Sequence, residues 1–432
     1  MHKTDFPRFV RWLGFTLAAL TTAALLLNTT ALPAVVDLRA AVLIMSAAAI
    51  PLLALALRTV RSAPARAVAA GALLLSAAAA LTMLWDLQFA YRTAAVSFSS
   101  GDVMLRGSLY VPRSHGPHPA VVLVHGSGRQ TRDEYAFYAR QYAKRGIAAL
   151  AYDKRGSGDS TGDVRTATFE GLAADAVRAI DMLRRREDIL PQRIGLWGLS
   201  EGEWVAPLAA LTAKPAFLVL VSPSGMTPSE QVQYETGANV LRAGFPPEDA
   251  HRARELYARL AAFQRTGAGR EALNDDLRQA STLPWFAAAR YLEPSVPEYE
   301  KVLTLDWFPA WRSRMDFDAL PLLAGIDCPV LAQAGGSDPK NDGAAALNRI
   351  RAALAAGGND AFSGVLYPDA GHGIVEWRLP FGFPPPLFAD GYLDTQLDWV
   401  AQQVSKRMAP LEIGGVRHRE RDRPDGLGPS NR

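Results

Sequence analysis

Paired cysteines are missing from this chain of 432 residues, which has a single cysteine, Cys328. One thiol excludes an intrachain disulfide and any metal site built from several cysteines. Histidines and carboxylates at metal-ligand spacing are also missing, since neither a His-x-x-x-His pattern nor a carboxylate cluster occurs. The sequence therefore predicts no metal and no other cofactor.

A large excess of charge of one sign is absent as well. The chain has 46 Lys and Arg against 43 Asp and Glu, a formal net charge of +3, and the two signs alternate through its body. Proteins that bind nucleic acids normally carry a clustered basic surface. We therefore expect no nucleic acid among the partners of this protein.

Long apolar runs are concentrated in the first ninety residues. Three of them, 9–32, 40–57 and 67–90, approach or exceed the roughly 20 residues that a helix needs to cross a bilayer. They predict a transmembrane region of about three helices over residues 1–91, which anchors the protein in a lipid bilayer. The alternative is a signal peptide followed by alanine-rich soluble helices, but the first run is longer than the apolar part of a signal peptide.

Basic residues flank these runs unevenly. Three lie within the first eleven residues and three between residues 58 and 66, whereas the first connection holds only Arg39. The positive-inside rule therefore places the N-terminus in the cytoplasm. With three spans, the rest of the chain lies on the periplasmic or extracellular side of a bacterial inner membrane. If the middle run does not cross the membrane, the rest of the chain lies in the cytoplasm.

From residue 92 onward, short apolar segments alternate with helical ones, which is typical of an α/β fold with a mainly parallel sheet. Predicted strands cover 94–99, 104–111, 120–124, 147–151, 193–197, 217–221, 330–334 and 364–366, and the first two form an antiparallel hairpin. Predicted helices cover 132–145, 169–186, 201–212, 343–356 and 392–408.

The interval between the strands at 217–221 and 330–334 is too long for a loop in a compact domain. Helical patterns at 229–241, 247–265 and 270–281 predict a helical cap inserted over residues 226–320. The catalytic core is therefore predicted in two parts, 92–225 and 321–409. The tail, 410–432, is charged and rich in Gly and Pro, and we expect it to be disordered.

Residues 198–202 read Gly-Leu-Ser-Glu-Gly, a Gly-x-Ser-x-Gly pattern between an apolar strand and a helical segment. In this context the pattern predicts a nucleophile elbow, in which small glycines allow a tight turn that exposes the hydroxyl of Ser200. Residues 125–128, His-Gly-Ser-Gly, follow another apolar strand. The backbone N–H groups of Ser127 and Glu201 are the predicted oxyanion donors, and His125 is expected to brace its loop.

A general base and an orienting acid are also needed. His372 follows the last predicted strand, and catalytic groups collect at the carboxyl ends of parallel strands. The acid lies between Ser and His in chain order, and Asp338 follows the penultimate strand directly. Asp342 is the second choice, while Asp327 lies at the wrong end of that strand.

The predicted cap is rich in aromatic residues. Trp285, Phe286 and Trp307 are the candidate substrate-binding residues, because they could line an apolar pocket for an acyl chain. The alternative is that these side chains form the hydrophobic core of the cap itself.

Three blocks, at 125–128, 152–160 and 198–204, together resemble the α/β-hydrolase superfamily over about residues 94–408. The resemblance is to bacterial esterases and acyl hydrolases of the dienelactone-hydrolase and prolyl-peptidase-like branch. It implies an α/β-hydrolase fold and hydrolysis of a small carboxylic ester or thioester through an acyl-enzyme on Ser200. In the middle block, Asp153 and Arg155 are expected to hold a Gly-rich turn. Glu203 departs from the family pattern, because relatives often have Gly at that position.

Two alternatives to the esterase remain open. One is a serine peptidase or amidase of the same fold. The other is a membrane-anchored binding protein without catalytic activity, since the fold alone does not establish an activity.

Overall fold

The computed structural model describes residue 16 and residues 39–59, 62–85, 90–289, 310–376 and 387–405. Apart from residue 16, the first predicted membrane run lies outside these residues, and so does the predicted tail 410–432.

Two helices cover the second and third apolar runs, α1 (Arg39–Thr59) and α2 (Ala63–Trp85). In the part of the chain that the structure describes, no helix combines the length and the apolar character needed to cross a membrane. The predicted spans at 40–57 and 67–90 are therefore not supported.

Eight strands form one sheet: β1 Tyr91–Ser100, β2 Val103–Pro112, β3 His118–Val124, β4 Ala148–Tyr152, β5 Ile189–Leu199, β6 Leu218–Val221, β7 Val330–Gly335 and β8 Phe362–Tyr367. Their order across the sheet is β1-β2-β4-β3-β5-β6-β7-β8. The pairs β1–β2 and β2–β4 are antiparallel, and the other neighbours are parallel. Each of the eight predicted strands is present. A short antiparallel pair follows, β9 Val375–Glu376 with β10 Leu387–Phe388.

The remaining helices are α3 Arg132–Lys144, α4 Phe169–Arg184, α5 Gly202–Ala213, α6 Pro228–Arg242, α7 Pro247–Thr266, α8 Arg270–Ala280, α9 Phe286–Ala289, α10 Trp311–Arg314, α11 Leu320–Leu323, α12 Gly343–Ala356 and α13 Tyr392–Ser405. Side chains of α4, α5 and α12 share one hydrophobic core with the sheet, and those of α3 and α13 share another. Neighbouring residues of β3 alternate between them, with Val122 in the first core and Val121 in the second. Burial on both faces explains why the strand is apolar from Pro119 to Val124.

Helices α6 to α11 occupy the long interval between β6 and β7. Side chains of α6, α7 and α8 form a separate hydrophobic cluster, which includes Leu256, Leu260, Phe263 and Leu277. Leu323 of α11 instead belongs to the core of the sheet. The insertion therefore has its own core and returns to the sheet through α11.

The chain changes direction across the sheet at β3, because β4 and β5 lie on opposite sides of it. In an open α/β sheet, such a reversal opens a crevice at the carboxyl ends of the strands. The parallel register aligns Val124 of β3 with Gly198 of β5. Residues 125–128 and 199–202 therefore leave the sheet side by side.

Candidate active site

Ser200 occupies the turn between β5 and α5 in a strained backbone conformation, with φ of 53°. This left-handed region is disfavoured for residues that have a β-carbon, and such strain is concentrated at functional sites. The Ser200 N–H donates to the carbonyl of Val221 at 2.9 Å. A β-carbon at Gly198 would lie 2.6 Å from the carbonyl oxygen of Gly202, so the turn requires glycine there. This is the geometry that the Gly-x-Ser-x-Gly pattern predicts.

His372 and Asp338 are in direct contact. The Nδ1 atom of His372 lies 2.8 Å from Oδ2 of Asp338, and the Asp338 side chain is only 1% exposed. The same carboxylate also accepts hydrogen bonds from the N–H of Lys340 at 2.8 Å and from Nδ2 of Asn341 at 3.3 Å. The buried carboxylate therefore holds the imidazole at Nδ1, which leaves Nε2 as the nitrogen for proton transfer.

Ser222, which follows β6, connects the strand beside Ser200 to the loops of Asp338 and His372. Its backbone is also left-handed, with φ of 52°. Its hydroxyl accepts the N–H of Gly373 at 2.9 Å, and its carbonyl accepts Nδ2 of Asn341 at 3.0 Å. Because β5, β6, β7 and β8 are consecutive parallel strands, these bonds hold the three predicted catalytic residues at one edge of the sheet. No local pattern in the sequence pointed to Ser222 or Asn341.

The other candidate acids have different contacts. Asp342 caps α12 by accepting the N–H of Ala345 at 2.9 Å. Asp327 is exposed and pairs with Lys214 at 3.0 Å. Within the described ranges, no group of three or more His, Cys, Asp or Glu side chains is arranged to hold a metal ion.

The two backbone amides predicted to bind an oxyanion lie beside Ser200. Among the described residues, neither Ser127 nor Glu201 donates its N–H to another protein atom. The two segments are closely packed, since a β-carbon at Gly202 would lie 3.2 Å from the carbonyl oxygen of Val124. Two unpaired N–H groups at such a turn can receive the negative charge of a tetrahedral intermediate.

His125 is buried and holds its loop in place. Its Nε2 atom lies 2.5 Å from the carbonyl oxygen of Tyr152, and its ring contacts the rings of Tyr135 and Tyr152 edge to face. Burial lowers the pKa of His125 to about 3. The imidazole is therefore neutral at physiological pH, in keeping with a bracing role.

The block at 152–160 forms a tightly bonded turn. The carboxylate of Asp153 accepts the N–H groups of Arg132 at 2.8 Å and Asp159 at 2.9 Å. Arg155 pairs with the buried Asp175 at 2.5 Å. Asp153 and Arg155 therefore bind other residues of the same domain. These contacts agree with the interpretation of this block as a structural turn.

A buried charge cluster that the sequence did not reveal lies next to Ser200. The Glu201 carboxylate contacts Nζ of Lys154 at 2.5 Å and Nη1 of Arg314 at 3.1 Å. All three side chains are at most 5% exposed. The sequence showed only that a lysine lies inside the 152–160 block and that a glutamate directly follows the nucleophile. Neither observation indicates that the two side chains are in contact.

A family model described as X-Pro dipeptidyl-peptidase (S15 family) matches residues 100–353, more than half of the chain. The chain belongs to this S15 family. The α/β-hydrolase superfamily predicted from the three sequence blocks is therefore confirmed.

Curated relatives match this S15-family chain over shorter segments. Esterase EstD of Thermotoga maritima is 31% identical over 146 residues, which cover 32% of this chain and 35% of EstD. Thiohydrolase aneE of Aspergillus aculeatus is 34% identical over 117 residues, which cover 27% of this chain and 36% of aneE. The chain therefore spans about a third of the length of these relatives. Among solved structures, the α/β hydrolase GrgF of a Penicillium species aligns with 73% of this chain and 100% of its own, at 17% identity and a TM-score of 0.46.

Glu203, the departure from the family pattern, is buried, and among the described residues no cation contacts its carboxylate. The carboxylate accepts the N–H groups of Ser224 at 2.8 Å and Gly225 at 2.9 Å, and the hydroxyl of Ser224 at 2.5 Å. Burial raises the pKa of Glu203 to about 7, and these hydrogen bonds oppose the increase. In this S15-family protein, Glu203 thus holds the loop after β6 that contains Ser222.

The raised pKa of Glu203 predicts that stability falls with increasing pH. The unfolded chain loses this proton near the ordinary value of 4.5, whereas the folded protein keeps it until about pH 7. The stabilising contribution is therefore complete below pH 4.5 and is lost as pH rises through 7. A pKa difference of this size corresponds to about 3 kcal/mol.

Thermal unfolding of the wild-type protein and of Glu203→Gln between pH 4.5 and 8 measures this contribution. Because glutamine does not titrate, the stability of the variant relative to the wild type should improve as pH rises. Parallel pH profiles for the two proteins would contradict this assignment.

The candidate substrate-binding aromatic residues lie in the insertion. Trp285 is 3% exposed and belongs to the hydrophobic cluster of the insertion. Phe286 is half-buried, and the centroid of its ring lies 6.2 Å from that of Trp285. Trp307 lies outside the described residues. The burial of Trp285 favours the second of the two alternatives, a core residue of the cap.

Proposed function

We propose that this S15-family hydrolase cleaves a carboxylic ester or thioester through an acyl-enzyme on Ser200. His372 acts as the general base and Asp338 orients it. The observation that carries the proposal is the 2.8 Å contact between Nδ1 of His372 and Oδ2 of Asp338, held at the sheet edge where Ser200 adopts its strained turn.

The reaction follows from these positions. The Ser200 hydroxyl attacks the carbonyl carbon of the substrate, and its proton passes to Nε2 of His372. The carbonyl oxygen becomes an oxyanion, which accepts hydrogen bonds from the N–H groups of Ser127 and Glu201. The imidazolium returns its proton to the departing alcohol or thiol, and water activated by His372 then releases the acid.

Two curated relatives support acyl transfer to water. The matched segments of EstD and aneE belong to proteins named an esterase and a thiohydrolase. A thiolate is a better leaving group than an alkoxide, so one site of this kind serves both ester classes.

A dipeptidyl-peptidase is the second candidate, favoured by the family model that covers residues 100–353. The same residues would then cleave an amide bond after proline. The amide nitrogen needs a proton before it leaves, and His372 would supply it.

A substrate panel separates the two candidates. The full chain is tested with p-nitrophenyl esters of acyl chains of roughly two to eight carbons, with an acyl thioester, and with Gly-Pro and Ala-Pro p-nitroanilides. We expect the esters or the thioester to give the higher kcat/KM, after subtraction of the rate of Ser200→Ala. Higher kcat/KM for the Pro anilides would select the peptidase, and no hydrolysis of any substrate by the folded protein would contradict both.

A further inference from the structure

We infer that Lys154 is a positioning residue of the oxyanion hole, because its single ammonium group holds the two peptide segments that carry the donor amides. The inference rests on the proposed function, since the oxyanion forms only if Ser200 attacks a carbonyl group.

The first contact of Lys154 fixes the Ser127 amide. Its Nζ atom donates to the carbonyl oxygen of Gly126 at 2.7 Å. That carbonyl and the N–H of Ser127 belong to one planar peptide unit and point in opposite directions. A hydrogen bond at the oxygen therefore sets the direction of the N–H group. On the other side of Gly126, its own N–H donates to the hydroxyl of Tyr135 at 2.8 Å.

The second contact reaches the residue that supplies the other amide. The same ammonium lies 2.5 Å from Oε1 of Glu201, which directly follows Ser200. The other carboxylate oxygen of Glu201 is held by Arg314 of α10, whose Nε atom also donates to the carbonyl of Ala167 at 2.8 Å. Lys154 therefore bridges the ends of β3 and β5, the two strands that border the crevice.

Stability alone does not account for this cluster. Burial lowers the pKa of Lys154, and the Glu201 carboxylate opposes that effect. Replacing a buried ion pair by well-packed apolar side chains is often neutral or stabilising. The burial of Lys154, Glu201 and Arg314 beside the nucleophile is explained by the geometry that their contacts impose on the two amides.

The test variant is Lys154→Met, which removes the ammonium and keeps a long, unbranched side chain. Glu201 remains paired with Arg314, so no unpaired charge is left in the interior. Loss of a whole oxyanion donor lowers kcat about 10²- to 10³-fold. Because misalignment weakens the donors without removing them, we expect kcat to fall about 10- to 100-fold, with KM little changed.

A second measurement reports directly on the oxyanion hole. A boronic acid that forms a tetrahedral adduct with Ser200 places an oxygen where the oxyanion develops. Its affinity should fall by the same factor as kcat/KM, since both depend on the two amides. A variant that is merely less stable would bind the boronic acid normally at a temperature where it is folded.

Arg155→Met is the matched control. Arg155 is the next residue, and it also makes one ion pair, with the buried Asp175, and one hydrogen bond to a backbone carbonyl, that of Gly171. We expect this variant to lose thermal stability and to keep the wild-type kcat. Lys154→Arg is the second test variant, used if Lys154→Met does not fold. It keeps the positive charge beside Glu201, but its planar guanidinium cannot replace the compact ammonium group. We expect a lower kcat at nearly wild-type thermal stability.

The outcomes are distinguishable. In one outcome, the wild-type enzyme is active and the folded Lys154 variants keep its kcat and its affinity for the boronic acid. That result would overturn the inference and leave the proposed function intact. An equal loss of kcat in Arg155→Met would also overturn it, because the loss would then reflect general destabilisation. A folded wild-type protein that neither cleaves esters nor binds the boronic acid would refute the proposed function, and the inference with it.

Discussion

Replacement of Ser200 by alanine should lower kcat for ester hydrolysis about 10⁴- to 10⁶-fold, which is the range expected for loss of a serine nucleophile. The side chain is the only group that the proposed mechanism uses to form the acyl-enzyme. The elbow should still fold, because alanine removes one oxygen and the Ser200 N–H keeps its bond to Val221. The measurement is kcat on the best p-nitrophenyl ester, with thermal unfolding as the check on folding.

Ser97→Ala is the control for this substitution, since Ser97 is exposed on β1, away from the crevice. It should keep wild-type kcat. A Ser200→Ala protein that retained a tenth or more of the wild-type rate (a barrier change below about 1.4 kcal/mol) would show that Ser200 is not the nucleophile.

The substitution Asp338→Asn should lower kcat about 10⁴-fold, because an amide cannot stabilise the imidazolium and favours the wrong tautomer of the ring. The position is almost fully buried, so water cannot take over the contact with Nδ1 of His372. The effect should appear mainly in kcat, because Asp338 does not contact the substrate in the proposed mechanism. Steady-state kinetics on the same ester measure it.

Asp342→Asn is the matched control, with the same chemical change four residues further along the chain. Asparagine caps a helix about as well as aspartate, so α12 should keep its stability. We expect wild-type kcat. A large loss of activity in Asp342→Asn with little effect of Asp338→Asn would reverse the assignment of the acid.

The central strands were predictable because they are short apolar runs, such as β4 and β6, and several helices were predictable because they are amphipathic or capped, such as α4. The helix α12 has the predicted bounds, since Asp342 caps it and Gly357 follows it. The strand β5 begins earlier than predicted, at Ile189. Pro191 interrupts the apolar pattern there, and the pairing of β3 with β5 shifts register between His118 and Ala120. Local sequence does not reveal such an irregularity.

The candidate catalytic residues were predictable because their types are few and their places follow strand ends. The supporting contacts were not, because they join distant parts of the chain. Lys154 and Arg314 lie 47 and 113 positions from Glu201, and no local pattern pairs them. Glu203 was identified from the sequence only as a departure from the family pattern, and its partners are N–H and O–H donors of the distant loop after β6.

Labelling of the full chain with a fluorophosphonate, followed by mass spectrometry of the peptides, tests whether Ser200 is an activated nucleophile. The reagent forms a stable adduct only with a serine whose hydroxyl is activated by a neighbouring base. We expect one adduct, on Ser200, which is absent from His372→Ala. A folded protein that carried no adduct, or carried it on a different serine, would contradict the proposed catalytic site.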